Sequence, residues 1–247
     1  MWVEALALAN DAMTGMVDEE ALVPPTPLRV AQRALVLAGV TCRGFIERGI
    51  GNEPLRQRVI AWMNSSGLVG ELEPDEASLL TTPIGYLTPQ QSIDAGWRCE
   101  GLVVLAWALG SHDLPAHDES VHPEEVANLL GFLDAAPAAL GMPTLRPPSE
   151  LQRCSDLLVA LHWRLREFSQ SRRPIDFAGL ARTARFGPLE IDSLRLVEGD
   201  LAIGYLPVSS APEAEFSRCL SIAMERHQAV NWLRGYAEVY SRVPVNT

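Results

Sequence analysis

The 247-residue chain contains no lysine; all 20 of its basic side chains are arginine. That absence excludes a Schiff-base lysine and the lysine of a phosphate-binding P-loop. Cysteine is scarce and scattered, at positions 42, 99, 154 and 219. No two are spaced for a zinc motif or a disulfide framework, so the thiols are expected to be reduced, buried small hydrophobes of a cytoplasmic protein. Long apolar runs are also missing. The longest uncharged one, Gly101 to Gly110, is too short to cross a bilayer, and no membrane association is expected. The apolar start, Met1 to Asn10, carries Glu4 and no basic segment, which argues against a signal peptide. There is no glycine-rich phosphate loop, no Gly-x-Ser-x-Gly elbow, no His-Glu-x-x-His pair and no internal repeat. No cofactor is expected on these grounds.

What is present is an ordinary globular composition, 47% hydrophobic and 21% charged, with a formal net charge of -11. The charge is unevenly placed. Eleven acids stand against one base, Arg98, between Glu71 and Glu125, and eight arginines against four acids between Gly141 and Gly187. An acidic balance argues against nucleic-acid binding and permits a basic protein partner.

The apolar periodicity is helical almost throughout. Thr26 and Pro27 mark the start of a helix with Val30, Ala34, Leu37, Ala38, Cys42 and Phe45 on one face. Asn52 caps the next, which carries Leu55, Val59, Trp62 and Met63 and stops at Gly67. Thr88 and Pro89 open a third that ends at Gly110, and Pro123 with two acids opens a short fourth. Two long helices follow, one expected to be capped by Ser149 and one drawn over Ala211 to Tyr240. Only residues 189–208 differ: β-favouring residues flank Glu198-Gly199-Asp200, which predicts one small hairpin. The proline-rich spots at 24–27 and 143–148 read as loops between helices. The expected fold is mainly α, a single helical domain over 1–247 with that hairpin.

Glu100 sits inside the apolar stretch "GWRCEGLVVLAWALG". At about 100° per residue it falls within roughly 20° of Trp107, on a face that is otherwise apolar. A lone carboxylate there must neutralise or find a partner. On the last helix, Arg226 falls within the apolar arc of Cys219, Ile222, Ala223, Ala229, Val230 and Leu233, with His227 and Asn231 along its edge. On the helix from Ser149, His162 borders a stripe of Leu151, Cys154, Leu157, Leu158, Leu161, Leu165 and Phe168, with Arg166 one turn on. Glu100, His162, Arg166, Arg226, His227 and Asn231 are therefore the candidate polar cluster. It reads as a structural network that fixes helix packing or as an active or ligand site, and the frequency of ion-pair networks without chemistry favours the former.

Three further histidines, His112, His117 and His122, lie in the loop "SHDLPAHDESVHP" among acids. Their spacing of five matches neither a helix face nor a compact ligand motif, so no metal is expected. The tryptophans at 62, 97, 107, 163 and 232 read as packing anchors rather than a stacking platform.

Three segments, "WRCEGLVVLAWALGSHDLP", "LRPPSELQRCSDLLVALHWRLRE" and "ERHQAVNWLRG", together resemble the bacterial family called domain of unknown function 4272. The helix at Val30 to Leu37 and "GDLAIGYLPV" are similar to it as well, so the likeness runs from about Pro27 to the C-terminus. The specific motif is Glu-Arg-His-x-Ala-x-Asn-Trp-Leu, here Glu225 to Leu233, and the ending "YSRVPVNT" departs from the family's acidic, Trp-containing tail. The three loop histidines are not part of the family pattern. The resemblance implies a bacterial protein and a fold but no activity. Two function classes stay open: a cytoplasmic interaction protein of inhibitor or immunity type with a basic partner, and an enzyme or small-ligand binder built on the polar cluster.

Overall fold

A computed structural model describes residues 23–49, 52–183 and 189–245. The Met1 to Asn10 stretch lies outside them. Among the described residues the α-helices are α1 (Pro27–Arg48), α2 (Glu53–Ser65), α3 (Pro74–Thr81), α4 (Pro89–Ala108), α5 (Pro123–Leu129), α6 (Pro148–Ser171), α7 (Phe177–Thr183) and α8 (Glu213–Leu233). The fold is mainly α, and its four long helices form a row in which α1 packs on α4, α4 on α8 and α8 on α6. No helix among the described residues is long and apolar enough to cross a membrane.

Local chemistry accounts for most helix starts. The Thr26 hydroxyl accepts from the Arg29 N–H at 3.3 Å, and Asn52 Oδ1 accepts from the Leu55 N–H at 3.0 Å. Thr88 and Gln91 form a reciprocal capping box. Helix α6 corrects the expectation at its start: it begins at Pro148, with Pro147 as the residue before it and no side-chain cap. Proline at the first helical position has its φ preset and no N–H to satisfy, so Ser149 lies inside the first turn.

The expected stripe on α1 is also corrected. Residues 33–41 are buried all round, including Arg33, whereas Phe45 is exposed. Close contact with α4 explains this. A Cβ on Gly44 would lie 2.7 Å from the Gly96 nitrogen and 2.8 Å from the Ser92 carbonyl, and the Ser92 hydroxyl donates to the Gly44 carbonyl at 3.0 Å. Only small residues permit that backbone approach.

The hairpin is one half of a three-stranded antiparallel sheet, β1 (Leu196–Val197), β2 (Asp200–Ile203) and β3 (Leu206–Pro207). Glu198 and Gly199 both have positive φ, as a two-residue turn of the primed type requires. A second turn with Gly204 at φ 62 returns the chain, which the single-hairpin reading missed. Strand β2 is buried along its whole length against α8. The buried apolar side chains form one contiguous cluster running from Val30 to Val243.

Candidate functional site

The six candidate residues separate into two networks and one outlier. Glu100 on α4 is 0% exposed and Arg226 on α8 is 2% exposed. Arg226 Nε donates to Glu100 Oε2 at 3.0 Å, and Nη2 lies 2.9 Å from the same oxygen. Its remaining N–H groups reach the loop that follows α4. Nη1 donates to the Pro115 and Ala116 carbonyls at 3.0 and 3.1 Å, and Nη2 to the Glu119 carbonyl at 2.8 Å. Each of the three guanidinium nitrogens is thus engaged. The other Glu100 oxygen accepts from the Val121 N–H at 3.0 Å. The pair therefore fixes the course of residues 115–121.

His162 and His227 form the second network with Asn231. Asn231 Nδ2 donates to the Pro244 carbonyl at 3.1 Å and to His227 Nε2 at 2.9 Å. His227 must then carry its proton on Nδ1 and donate it to His162 Nδ1, 2.9 Å away. Burial depresses both imidazoles, His162 to about 4 and His227 to about 3, so both are neutral at pH 7, as the hydrogen-bond order demands. Neither hydrogen-bonds to Glu100, which corrects the idea of one shared network. Arg166 joins neither. It stays half-buried and makes no side-chain hydrogen bond or ion pair among the described residues.

The motif from Glu225 to Leu233 can now be read residue by residue. Glu225 pairs with Arg98 at 3.1 Å, although burial raises its carboxyl. Gln228 donates to the Tyr240 carbonyl and Trp232 to the Glu238 carbonyl. Ala229, Val230 and Leu233 are buried apolar residues. Each polar member ties α8 to α4, to α6 or to the C-terminal segment.

A third buried group was missed from sequence. Arg164 on α6 grips Asp200 of β2 with two bonds of 2.7 and 2.6 Å and also pairs with Glu167. Asp200 accepts further from the Ile175 and Leu201 N–H groups. The signal was present, since Arg164 stands three residues after Leu161 and four before Phe168, on the buried stripe.

The family model described as Domain of unknown function (DUF4272) matches residues 6–179, well over half of the chain. The chain belongs to that family. No curated protein and no solved structure matches it. In this DUF4272 protein the matched range contains Glu100, His162 and Arg166 and ends within α7, whereas Arg226, His227 and Asn231 lie beyond it.

One concave feature of the family member lies beside the first network. A cleft of about 930 Å³ opens between α6, the 114–117 loop and residues 190–195. Its floor is apolar, with Trp107, Leu157, Leu158, Leu161 and Leu194, and its rim carries Arg153, Arg195, Glu190 and Asp192. Arg226 reaches it, but with each guanidinium nitrogen already hydrogen-bonded. Cys154 also lines it, and burial raises its thiol to about 12, so it is not a nucleophile at neutral pH. The loop histidines take separate places. His117 is buried and lines the cleft, His122 is exposed at the start of α5, and His112 lies near Glu125. No three metal-ligating side chains come together among the described residues.

Proposed function

We propose that this protein is a cytoplasmic bacterial interaction protein, of inhibitor or immunity type, that binds a basic protein partner and does no chemistry. The observation that carries this reading is the closure of the candidate cluster. Both Glu100 oxygens and all three Arg226 nitrogens are hydrogen-bonded, and the two imidazoles are neutral, bonded to each other and through His227 to Asn231. Groups so engaged hold helices and a loop in place; they are not poised to accept a substrate proton.

The acids that remain for a partner are a subset of the 71–125 segment. Glu71, Glu73 and Glu76 face Arg29 and Arg33, and Asp118 is held by the Gly204 N–H and Arg195. Glu119, Glu124 and Glu125 are exposed around the start of α5, with Asp113 nearby in the same loop. That face would steer a basic surface and lose it to screening. The alternative, an enzyme or small-ligand binder using the Glu/Arg/His cluster, draws its support from the cleft beside Arg226.

The test is affinity capture from a bacterial lysate on the immobilised full chain. The expected result is a basic partner held at about 50 mM salt and released by about 300 mM. The triple variant Glu119→Arg, Glu124→Arg and Glu125→Arg should not retain it. Capture indifferent to salt and to charge reversal, or no capture, refutes the reading.

A further inference from the structure

The wall of the cleft is built with more care than a surface hollow needs. Residues 114–117 form it, and they lie in a loop that would wander without anchors. Arg226 holds the Pro115 and Ala116 carbonyls. The Cys219 thiol donates to the His117 carbonyl at 3.5 Å. Asp118 accepts from the Gly204 N–H at 2.7 Å and from Arg195 at 3.2 Å. Helix α8 on one side and the residues flanking the strands on the other thus pin this short stretch.

His117 stands at the centre of that stretch and is 7% exposed. Its Nε2 lies 2.6 Å from the Ala202 carbonyl of β2. A carbonyl only accepts, so Nε2 carries the proton. Burial lowers the His117 pKa, which keeps the ring neutral at pH 7. Nδ1 is then a bare lone pair, and no described residue donates to it. Around it the loop carbonyls at 115–117 and 119, the Val121 N–H and Arg226 are all bonded. Nδ1 is not among the buried unpartnered atoms; it is an oriented, neutral acceptor on an apolar-floored cleft, open to a donor that enters it.

We infer that the cleft between α6, the 114–117 loop and residues 190–195 is a small-molecule site in which His117 Nδ1 accepts a hydrogen bond from the ligand. The ligand class follows from the lining. Its body is apolar, to cover Trp107, Leu157, Leu158, Leu161 and Leu194. It carries a hydroxyl or N–H donor for His117. It has no net charge, because the rim presents Arg153 and Arg195 together with Glu190 and Asp192. The volume, about 930 Å³, suits a molecule of at least two fused rings. Glu100 and Arg226 are positioning residues here, since they set the wall and touch no ligand.

The probes are 2-naphthol and its methyl ether, which share an apolar body and differ in the donor. Each is titrated into the full chain labelled with ¹⁵N-histidine, following affinity and the His117 ring resonances. The expected result is that 2-naphthol shifts the Nδ1 resonance of His117 and binds about five- to tenfold more tightly than the ether. His117→Phe should bind both alike. Because that variant also loses the bond to Ala202, Leu157→Asp is the second test: it sets a charge on the apolar floor, leaves the His117–Ala202 bond in place and should weaken binding of both probes at least about tenfold. Equal affinity of the two probes for the wild-type chain, binding that leaves Nδ1 unshifted, binding unaffected by Leu157→Asp, or no binding of 2-naphthol each overturns the assignment.

Discussion

Cutting the Glu100–Arg226 pair from one side should be far more damaging than cutting it from both. Arg226→Met leaves a carboxylate that is 0% exposed with one remaining donor, the Val121 N–H. It also strips the Pro115 and Glu119 carbonyls of the Arg226 donors, while the Ala116 carbonyl keeps the Glu119 N–H. Glu100→Gln removes the charge that faces a guanidinium only 2% exposed. An uncompensated buried charge costs about 3–5 kcal/mol, a large share of the roughly 5–15 kcal/mol that holds a domain folded. The double variant relieves the charge penalty but not the carbonyl losses, at about 1 kcal/mol each. Its total should therefore fall short of the sum of the singles by at least about 2 kcal/mol. Denaturant unfolding of the four proteins measures this, with unchanged slopes required for the comparison. Additive losses would refute the pairing as the reason for a glutamate at this place.

Arg164→Leu should destabilise by about 3–5 kcal/mol, since Asp200 keeps its charge and loses its only cation; a change under about 1 kcal/mol in urea unfolding would contradict that. His162 and His227 have folded pKa values of about 4 and about 3 against an ordinary 6.5, so below pH 6.5 the unfolded chain binds protons that the folded one refuses. Stability should be complete above pH 6.5 and fall by about 1.4 kcal/mol per unit for each ring as pH drops toward 5, with His117 adding in the same direction; a flat profile over that window would contradict it. Gly44→Val should cost about 1–3 kcal/mol or more by forcing α1 off α4, readable as a lowered thermal midpoint, whereas Gly70→Val, where a Cβ meets nothing within 4 Å, should leave it nearly unchanged.

The sequence was most legible where the controlling physics is local. Thr26, Asn52 and Thr88 cap helices because the hydroxyl or amide that accepts the bond lies three residues from the N–H that donates it. Ser149 failed as a cap because Pro147 and Pro148 start the helix one residue earlier. The apolar arcs also located the Glu100–Arg226 meeting of α4 and α8, as each polar residue interrupts a buried face. The course of the loop from 112 to 122 is not legible in the sequence, because its anchor Arg226 lies more than a hundred residues away. His117 was weighed only as a metal ligand for the same reason: its partner, the Ala202 carbonyl, belongs to a strand that periodicity cannot place beside it. Arg164 and Asp200 were missed because patterning treats arginine as an outside residue and an acid after glycine as part of a turn.

That treatment fails here for a reason tied to the missing lysine. Buried arginines in this fold repeatedly donate to backbone carbonyls where regular structure ends. Arg33 reaches Glu71, Arg43 reaches Thr82 and Pro83, and Arg56 reaches Leu80 and Thr81. Arg43 and Arg56 between them cover the carbonyls at the C-terminal end of α3, the negative end of its dipole. Arg146 does the same for Trp107 at the end of α4, and Arg226 for the loop beyond it. An ammonium offers three donors on a strongly hydrated point charge, whereas a guanidinium offers five in a plane and desolvates more readily. Serving a carboxylate and two or three carbonyls at once is possible only for the second. Arg33, Arg43 and Arg226 each carry an acid inward, Glu76, Glu47 and Glu100. The acids of the 71–125 segment are therefore divided between loop anchoring and the surface. It is that division, more than the total of -11, that decides which of them a basic partner can meet.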